Sequence, residues 1–262
     1  MVFTLGPKAI SAGYRLASFD QIGSTNSEAM ARASAGERGP MWFVTTEQTA
    51  GRGRRHRPWI APRGNLAASV LETLDVAPAT AATLGFAAGL ALESALRAVA
   101  ASTSVGFSLK WPNDVLAGQA KLSGILLEAE VVPAGGLAVV VGMGTNVVAA
   151  PEGTPTPVTS LHALGLEVTA ETLFAALSDN WAECRGIWDG GRGFAEIRRR
   201  WLALAAGLGQ PVAVHTGSAA VTGIFETIDD TGCMIVKTST ADRVPISAGD
   251  VHFGAAASAG AN

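Results

Sequence analysis

Residues 47–59 read EQTAGRGRRHRPW, four arginines and a histidine set between two glycines and a tryptophan. Gly51 and Gly53 let the backbone bend sharply and expose N–H groups, and they argue against a helix. Arg52 and Arg54 supply planar donors for a carboxylate or a phosphate. A solvated basic loop and an RNA-contacting loop are the competing readings of this stretch. Lys110 and Lys121 flank a turn, KWPND, that holds Asn113 and Asp114. Two lysines and an aspartate near an anion-binding loop suit magnesium-assisted chemistry at a phosphate. GSTN (23–26) and GMGTN (142–146) complete the set. The latter lacks the third glycine and following helix of a dinucleotide fingerprint, so a Rossmann reading fails and close backbone packing around a ligand remains. His56, His162, His215 and His252 show no ligand-like helical spacing and are not read as metal ligands.

These stretches need a scaffold, and the hydrophobic pattern outlines one. STNSEAMARA opens a helix, with Thr25 and Glu28 at capping-box spacing. MWFVTTEQ (41–48) is a predicted strand running into the arginine loop, and NLAASVLET (65–73) is the next. Leu84, Ala88, Leu92, Leu96 and Val99 form a helical stripe within 80–101. Three strand-like runs follow: VGFSLKW stopping at Pro112, KLSGILLEAEVV after a turn at Gly118, and LAVVVGMGTNVV. Leu173, Phe174, Leu177, Trp181, Cys184 and Trp188 share one helical face, and a second helix carries Phe194, Ile197, Trp201 and Leu204, with Gly207 as its cap. After Gly209 come short strands broken by turn signals, a pattern suited to a small β-barrel. Each polar stretch falls at a strand end or a helix start, where ligands bind in α/β sheets.

Bulk properties narrow the function classes. The 262-residue chain has a net charge of -3 and a pI near 5.8, no signature of a nucleic-acid binder. Cys184 and Cys233 form neither a disulfide framework nor a CxxC site and are expected to be reduced thiols. The N-terminus lacks the charged head and apolar core of a signal peptide, and no uninterrupted apolar run reaches the roughly 18 residues of a membrane span. A cytoplasmic protein without membrane contact is expected.

Taken in order, STN, Q-x-x-GRGRR, KWPND, KLSGILLE and GMGTNV resemble the biotin–protein ligase family, and GIFETIDDTGCMIV…ISAGDV resembles its small C-terminal barrel. The resemblance covers nearly the whole chain. It implies an α+β fold: a mixed, mostly antiparallel β-sheet with flanking helices, as in class II synthetases, plus an SH3-like β-barrel. The implied boundaries are a catalytic domain at 1–207, the barrel at 208–254 and a flexible tail at 255–262. The implied activity joins biotin to ATP as biotinyl-5′-AMP, then transfers the biotinyl group to a lysine of a biotin carboxyl carrier protein domain. Lipoate or octanoate ligation by the same two-step chemistry is the nearest alternative.

By the same resemblance, Ser24, Thr25, Asn26 and Gln48 line the biotin head group, where hydroxyls and amides suit a ureido ring. Gly51, Arg52, Gly53, Arg54, Lys121 and Gly124 complete the biotin site, the arginines facing carboxylate and phosphate. Lys121 neutralises charge at the α-phosphate, assisted by Lys110 and Arg54. Arg55, Trp59, Asn113 and Asn146 join the ATP site, with Trp59 stacked on the adenine and Asn146 at its edge. Asp114 is the expected Mg²⁺ ligand. The loop at 51–57 is expected to close over an adenylate that water would otherwise hydrolyse. His56 stands where the family usually has glycine. Only 23 residues precede Ser24. That leaves no room for a winged helix-turn-helix, so no operator-specific DNA binding is expected. A homodimer through an exposed sheet edge is compatible with the sequence.

Overall fold

The structure, a computed structural model, describes residues 2–101, 103–132, 135–216 and 219–253, with the side chain of His56 outside the described set. The expected tail at 255–262 therefore lies outside the described residues, as does the end of the expected barrel. Strands β1 (Arg15–Phe19), β2 (Met41–Thr45), β3 (Leu66–Leu74), β4 (Phe107–Lys110), β5 (Asp114–Ala117), β6 (Ala120–Val131) and β7 (Leu137–Thr145) form one mixed sheet in the order β1-β2-β3-β7-β6-β5-β4. Only β1 and β2 pair in parallel.

Both faces of this sheet are covered. In β2 the neighbours Trp42 and Phe43 are each fully buried but join different hydrophobic clusters. Strand alternation sends them to opposite faces. Phe43, Leu71 and Val140 meet Ala29 and Ala33 of helix α2 (Thr25–Ser34), the element that follows the short helix α1 (Pro7–Ser11) and β1. Trp42 faces helix α5 (Ala170–Trp188), edge-on to Phe174 at 5.4 Å and Trp181 at 6.1 Å. Cys184 is buried on that helix as its spacing predicts, and burial pushes its thiol up to about 12.

The predicted helix over 80–101 is two helices, α3 (Pro78–Ala82) and α4 (Leu84–Val99), parted at Thr83. Thr83 Oγ1 bonds back to Thr80 O and also accepts from Trp188 Nε1 at 2.7 Å. The segment Pro78–Val99 is long and apolar enough to cross a membrane, but 72% of its apolar window is buried inside the fold. Helix α6 (Phe194–Ala203) ends before Gly207, contrary to expectation. Its exit, residues 204–206, pairs with edge strand β4 through Leu109 N→Leu204 O and Ala206 N→Leu109 O, both 2.8 Å. Gly207 (φ 75°) makes the turn that follows, against Phe253.

A second sheet, five-stranded and antiparallel, contains β8 (Pro211–Thr216), β9 (Ala219–Ile228), β10 (Met234–Lys237), β11 (Arg243–Ile246) and β12 (Asp250–Phe253), in the order β11-β10-β9-β8-β12. Its buried Val212, Phe225, Met234 and Val251 belong to the same hydrophobic cluster as the first sheet. Trp111 ties the two together: 1% exposed, it donates from Nε1 to Gly232 O at 3.2 Å. That anchor holds Lys110 and Asn113 on either side of it. The expected α+β architecture is the one observed.

Candidate active site

The four polar stretches converge on one cavity of about 790 Å³. Its neutral wall is the start of α2. Ser24 is the N-cap, accepting from Ser27 N, so the predicted cap is displaced by one residue. Thr25 is freed for the site: its N–H and hydroxyl both donate to Gln48 Oε1, at 2.8 and 3.1 Å. Glu28 pairs instead with Arg32. Asn26, 4% exposed, donates to Glu128 Oε2 at 2.8 Å and Leu126 O at 3.3 Å. Ser69 Oγ lies 2.7 Å from Thr25 Oγ1 and 2.6 Å from Asn26 Oδ1.

The glycines of the motifs form the floor. Gly142 is paired with Ser69 on one side and Leu126 on the other, and Asn26 lies directly over it. Gly124 and Gly144 face each other across β6 and β7. The Trp59 ring lies on that pair, so a Cβ on Gly144 would stand 2.6 Å from its Cε2. Lys121 Nζ sits 5.5 Å from the ring centroid of Trp59. Gly51 gives way to the Trp59 carbonyl, which a Cβ there would meet at 2.6 Å.

Cations gather at the other end. Lys121 Nζ is 2.7 Å from Asp114 Oδ1, yet that buried oxygen makes no aligned hydrogen bond. Lys110 lies over the Phe253 ring at 5.5 Å. Burial pushes the Lys110 ammonium below the ordinary lysine value, with Asp114 opposing and Lys121 adding to the effect. Burial likewise lowers Arg54, helped by Arg55 and opposed by Asp114. Arg54 donates to Asn113 Oδ1 at 2.9 Å, and Asn113 Nδ2 donates to Ile125 O at 2.8 Å. Both ends of the Asn113 amide are therefore committed to holding Arg54 and β6. Asn146 Nδ2 donates to Thr159 O at 3.0 Å, which fixes the amide orientation and leaves its buried Oδ1 without a partner. Trp59 Nε1 is a buried donor without a partner.

Ser24, Thr25, Asn26, Gln48, Arg52, Gly53, Arg54, Trp59, Lys110, Asn113, Asp114, Lys121, Gly124 and Asn146 all line the cavity, whereas Gly51 and Arg55 stand outside its wall. Arg55 turns away to Asp250. The loop is not the bare basic patch an RNA contact would need, because Arg52 pairs with Glu128 at 3.1 Å and Arg55 and Arg57 with Asp250, both at 2.9 Å. Sequence reasoning missed Ser69, Glu128, the 151–156 segment, Asp250 and His252, of which 151–156, Asp250 and His252 line the cavity. Ser69, set within the apolar run LAASVL of β3, is the one signal the sequence carries. Among the described residues no group of three or more His, Cys, Asp or Glu could hold a metal ion.

The sequence and the fold match known proteins over most of the chain. The profile of the biotin/lipoate A/B protein ligase family matches residues 19–146, and that of the biotin protein ligase C-terminal domain matches 207–254. The chain belongs to the biotin/lipoate A/B protein ligase family. It is 40% identical to a biotin–[acetyl-CoA-carboxylase] ligase of Paracoccus denitrificans, over 88% of this chain and 97% of that one. A ligase of the same name from Mycobacterium tuberculosis is 37% identical over 88% of this chain and 86% of its own length. The fold matches that of biotin protein ligase from Aquifex aeolicus in complex with biotin and ATP, with a TM-score of 0.76 at 23% identity, covering 92% of this chain and 99% of that one.

Proposed function

We propose that the chain is an ATP-dependent biotin–[carboxyl-carrier protein] ligase. The observation that carries this reading is the polarity of this one cavity from end to end: a neutral amide and hydroxyl wall at Thr25, Asn26 and Gln48, and three cations, Arg54, Lys110 and Lys121, around Asp114. A ureido ring, with two donors and one acceptor, suits the first. A carboxylate meeting a triphosphate suits the second.

In the first half-reaction the biotin carboxylate oxygen attacks the α-phosphorus of ATP. The new P–O bond forms as the bond to pyrophosphate breaks, and pyrophosphate leaves with its electron pair. Lys121, at the cavity wall between Trp59 and Asp114, stabilises the charge on the α-phosphate oxygens. Lys110 and Arg54 act on the departing phosphates, and Asn113 orients Arg54. Asn146 Oδ1 accepts from the exocyclic amine of adenine, which satisfies a buried acceptor otherwise unpaired. Asp114, whose buried Oδ1 makes no aligned hydrogen bond within the protein, would be the one protein carboxylate for Mg²⁺, an ion that commonly takes one or two carboxylates with substrate phosphates and water. When bound it would add positive charge at the phosphates. In the second half-reaction the carrier lysine amine attacks the biotinyl carbonyl, AMP leaves and the amine loses a proton. No nucleophile of the protein is required.

The catalytic part is residues 1–207 and the C-terminal domain is 208–254, whose strand β12 closes one end of the cavity through Asp250 and His252. The partner is the carrier domain of a biotin-dependent carboxylase. A second copy has β1 as the sheet edge open to it, because residues 204–206 cover β4. Two free thiols suit a reducing cytoplasm. The test is ATP–pyrophosphate exchange with purified protein and Mg²⁺, with biotin and lipoate in parallel. Exchange with biotin alone is expected. Exchange with lipoate alone would move the substrate, and silence with both would overturn the reading.

A further inference from the structure

The arginine loop is a hairpin closed by its own backbone. Trp59 N donates to Gly51 O at 2.9 Å, Arg52 bridges Pro58, and Gly53 N donates to Arg57 O at 2.7 Å. Its tip is less self-sufficient. Arg55 holds φ 54° and ψ 35°, the left-handed region that a side chain disfavours, so contacts from outside the loop must keep it there. Those contacts come from β12 of the C-terminal sheet. Arg55 Nη1 and Arg57 Nη2 both reach Asp250 Oδ2 at 2.9 Å, spanning 195 and 193 positions of sequence. Burial of Asp250 is outweighed by Arg57, Arg55 and Arg54, which together hold its carboxyl below the usual range.

We propose that Asp250 is a positioning residue that clasps the tip of the arginine loop to the C-terminal sheet and so retains the acyl-adenylate in the closed cavity. The retention half of this rests on the ligase reading above; the clasp itself does not. Asp250 lines the cavity on one side and grips the loop on the other, so the second sheet is the far jaw of the closure. The arginine side chains are 41% and 65% exposed, and exposed ion pairs are individually weak. A weak, paired clasp biases the loop toward closure and still lets it open for substrate entry and carrier access.

Two measurements separate the halves. Trypsin cleavage within 52–57 of the ligand-free protein reports the clasp, and Asp250→Asn should accelerate it about two- to thirtyfold, the range expected for two exposed pairs. Added salt should speed cleavage of the unaltered protein but not of Asp250→Asn. Asp250→Glu should behave as the original, and Arg57→Gln, which removes no trypsin site because Pro58 follows it, should move cleavage part of the way toward Asp250→Asn, with thermal melts confirming a folded chain. The second measurement is the lifetime of biotinyl-5′-AMP on the protein without carrier, which should shorten in Asp250→Asn. Unchanged cleavage overturns the clasp whatever the substrate. Faster cleavage with an unchanged adenylate lifetime overturns the retention role. If the unaltered protein forms no adenylate, the ligase reading and the retention role fail together, and the clasp is decided by cleavage alone.

Discussion

Replacing Gly142 with alanine should damage biotin binding through a residue on another element. Gly142 lies in β7, held by β3 and β6 on its two sides, so its backbone has little room to shift. A Cβ there would stand 2.9 Å from Asn26 Cγ and 3.2 Å from Nδ2, with Oδ1 nearer still. Asn26 must therefore leave its place. It then forfeits Ser69 at 2.6 Å, Glu128 at 2.8 Å and Leu126 O at 3.3 Å. Leaving a buried polar group unsatisfied costs about 1–3 kcal/mol. Expressed on ligand affinity, that is roughly a 5- to 150-fold rise in the Kd for biotin. Strand propensity alone predicts the opposite sign, since alanine is favoured over glycine by roughly 0.5–1 kcal/mol in a strand interior. Calorimetric titration of biotin, with a thermal melt alongside, distinguishes the two. Coupling sharpens the test: in an Asn26→Ala background the added methyl should cost little. An unchanged Kd, or the same loss in both backgrounds, would refute the argument.

Two further substitutions probe the cationic end. Lys121→Ala should lower the biotin-dependent exchange rate by on the order of 10²–10³ while changing biotin affinity less than about tenfold, because its charge acts mainly in the transition state; equal losses in both would contradict that role. Lys110 carries a pKa lowered by burial, so its cation is lost as pH rises through a value below that of an ordinary lysine, and kcat/KM for ATP should fall on the alkaline side accordingly. Lys110→Arg keeps its charge throughout that range, so its kcat/KM profile should lack this alkaline limb, and an identical limb in the variant would remove Lys110 as its source.

Most of the architecture was legible because its signals are periodic and local. The stripes of α4 and α5 and the apolar runs of β2, β3, β6 and β7 announce themselves within windows of five to nineteen residues. Strands β1 and β5 did not. β1, RLASF, lacks the aromatic and β-branched enrichment that marks MWFVT, and β5, DVLA, is enclosed by the turns at Pro112 and Gly118. The break at Thr83 was illegible for a different reason: the hydroxyl that parts α3 from α4 is recruited by Trp188, more than a hundred positions away.

The site divides along the same line. Motifs marked the residues that face the cavity, but not what restrains them, because restraint comes from distant strands. Asn113 reads as a metal or nucleotide ligand in KWPND, yet both ends of its amide are spent on Arg54 and Ile125. The arginine loop reads as a basic patch because its counter-charges, Glu128 on β6 and Asp250 on β12, lie 76 and more than 190 positions further along. Folding brings them beside it and converts a run of like charges, which would repel itself in isolation, into a hairpin gripped by both sheets. The same reasoning explains GMGTN. Its glycines resemble a phosphate-binding turn in one dimension, but on β7 they are the spaces that Asn26 and Trp59 fill, and the two halves of the cavity meet only because those spaces are empty of side chain.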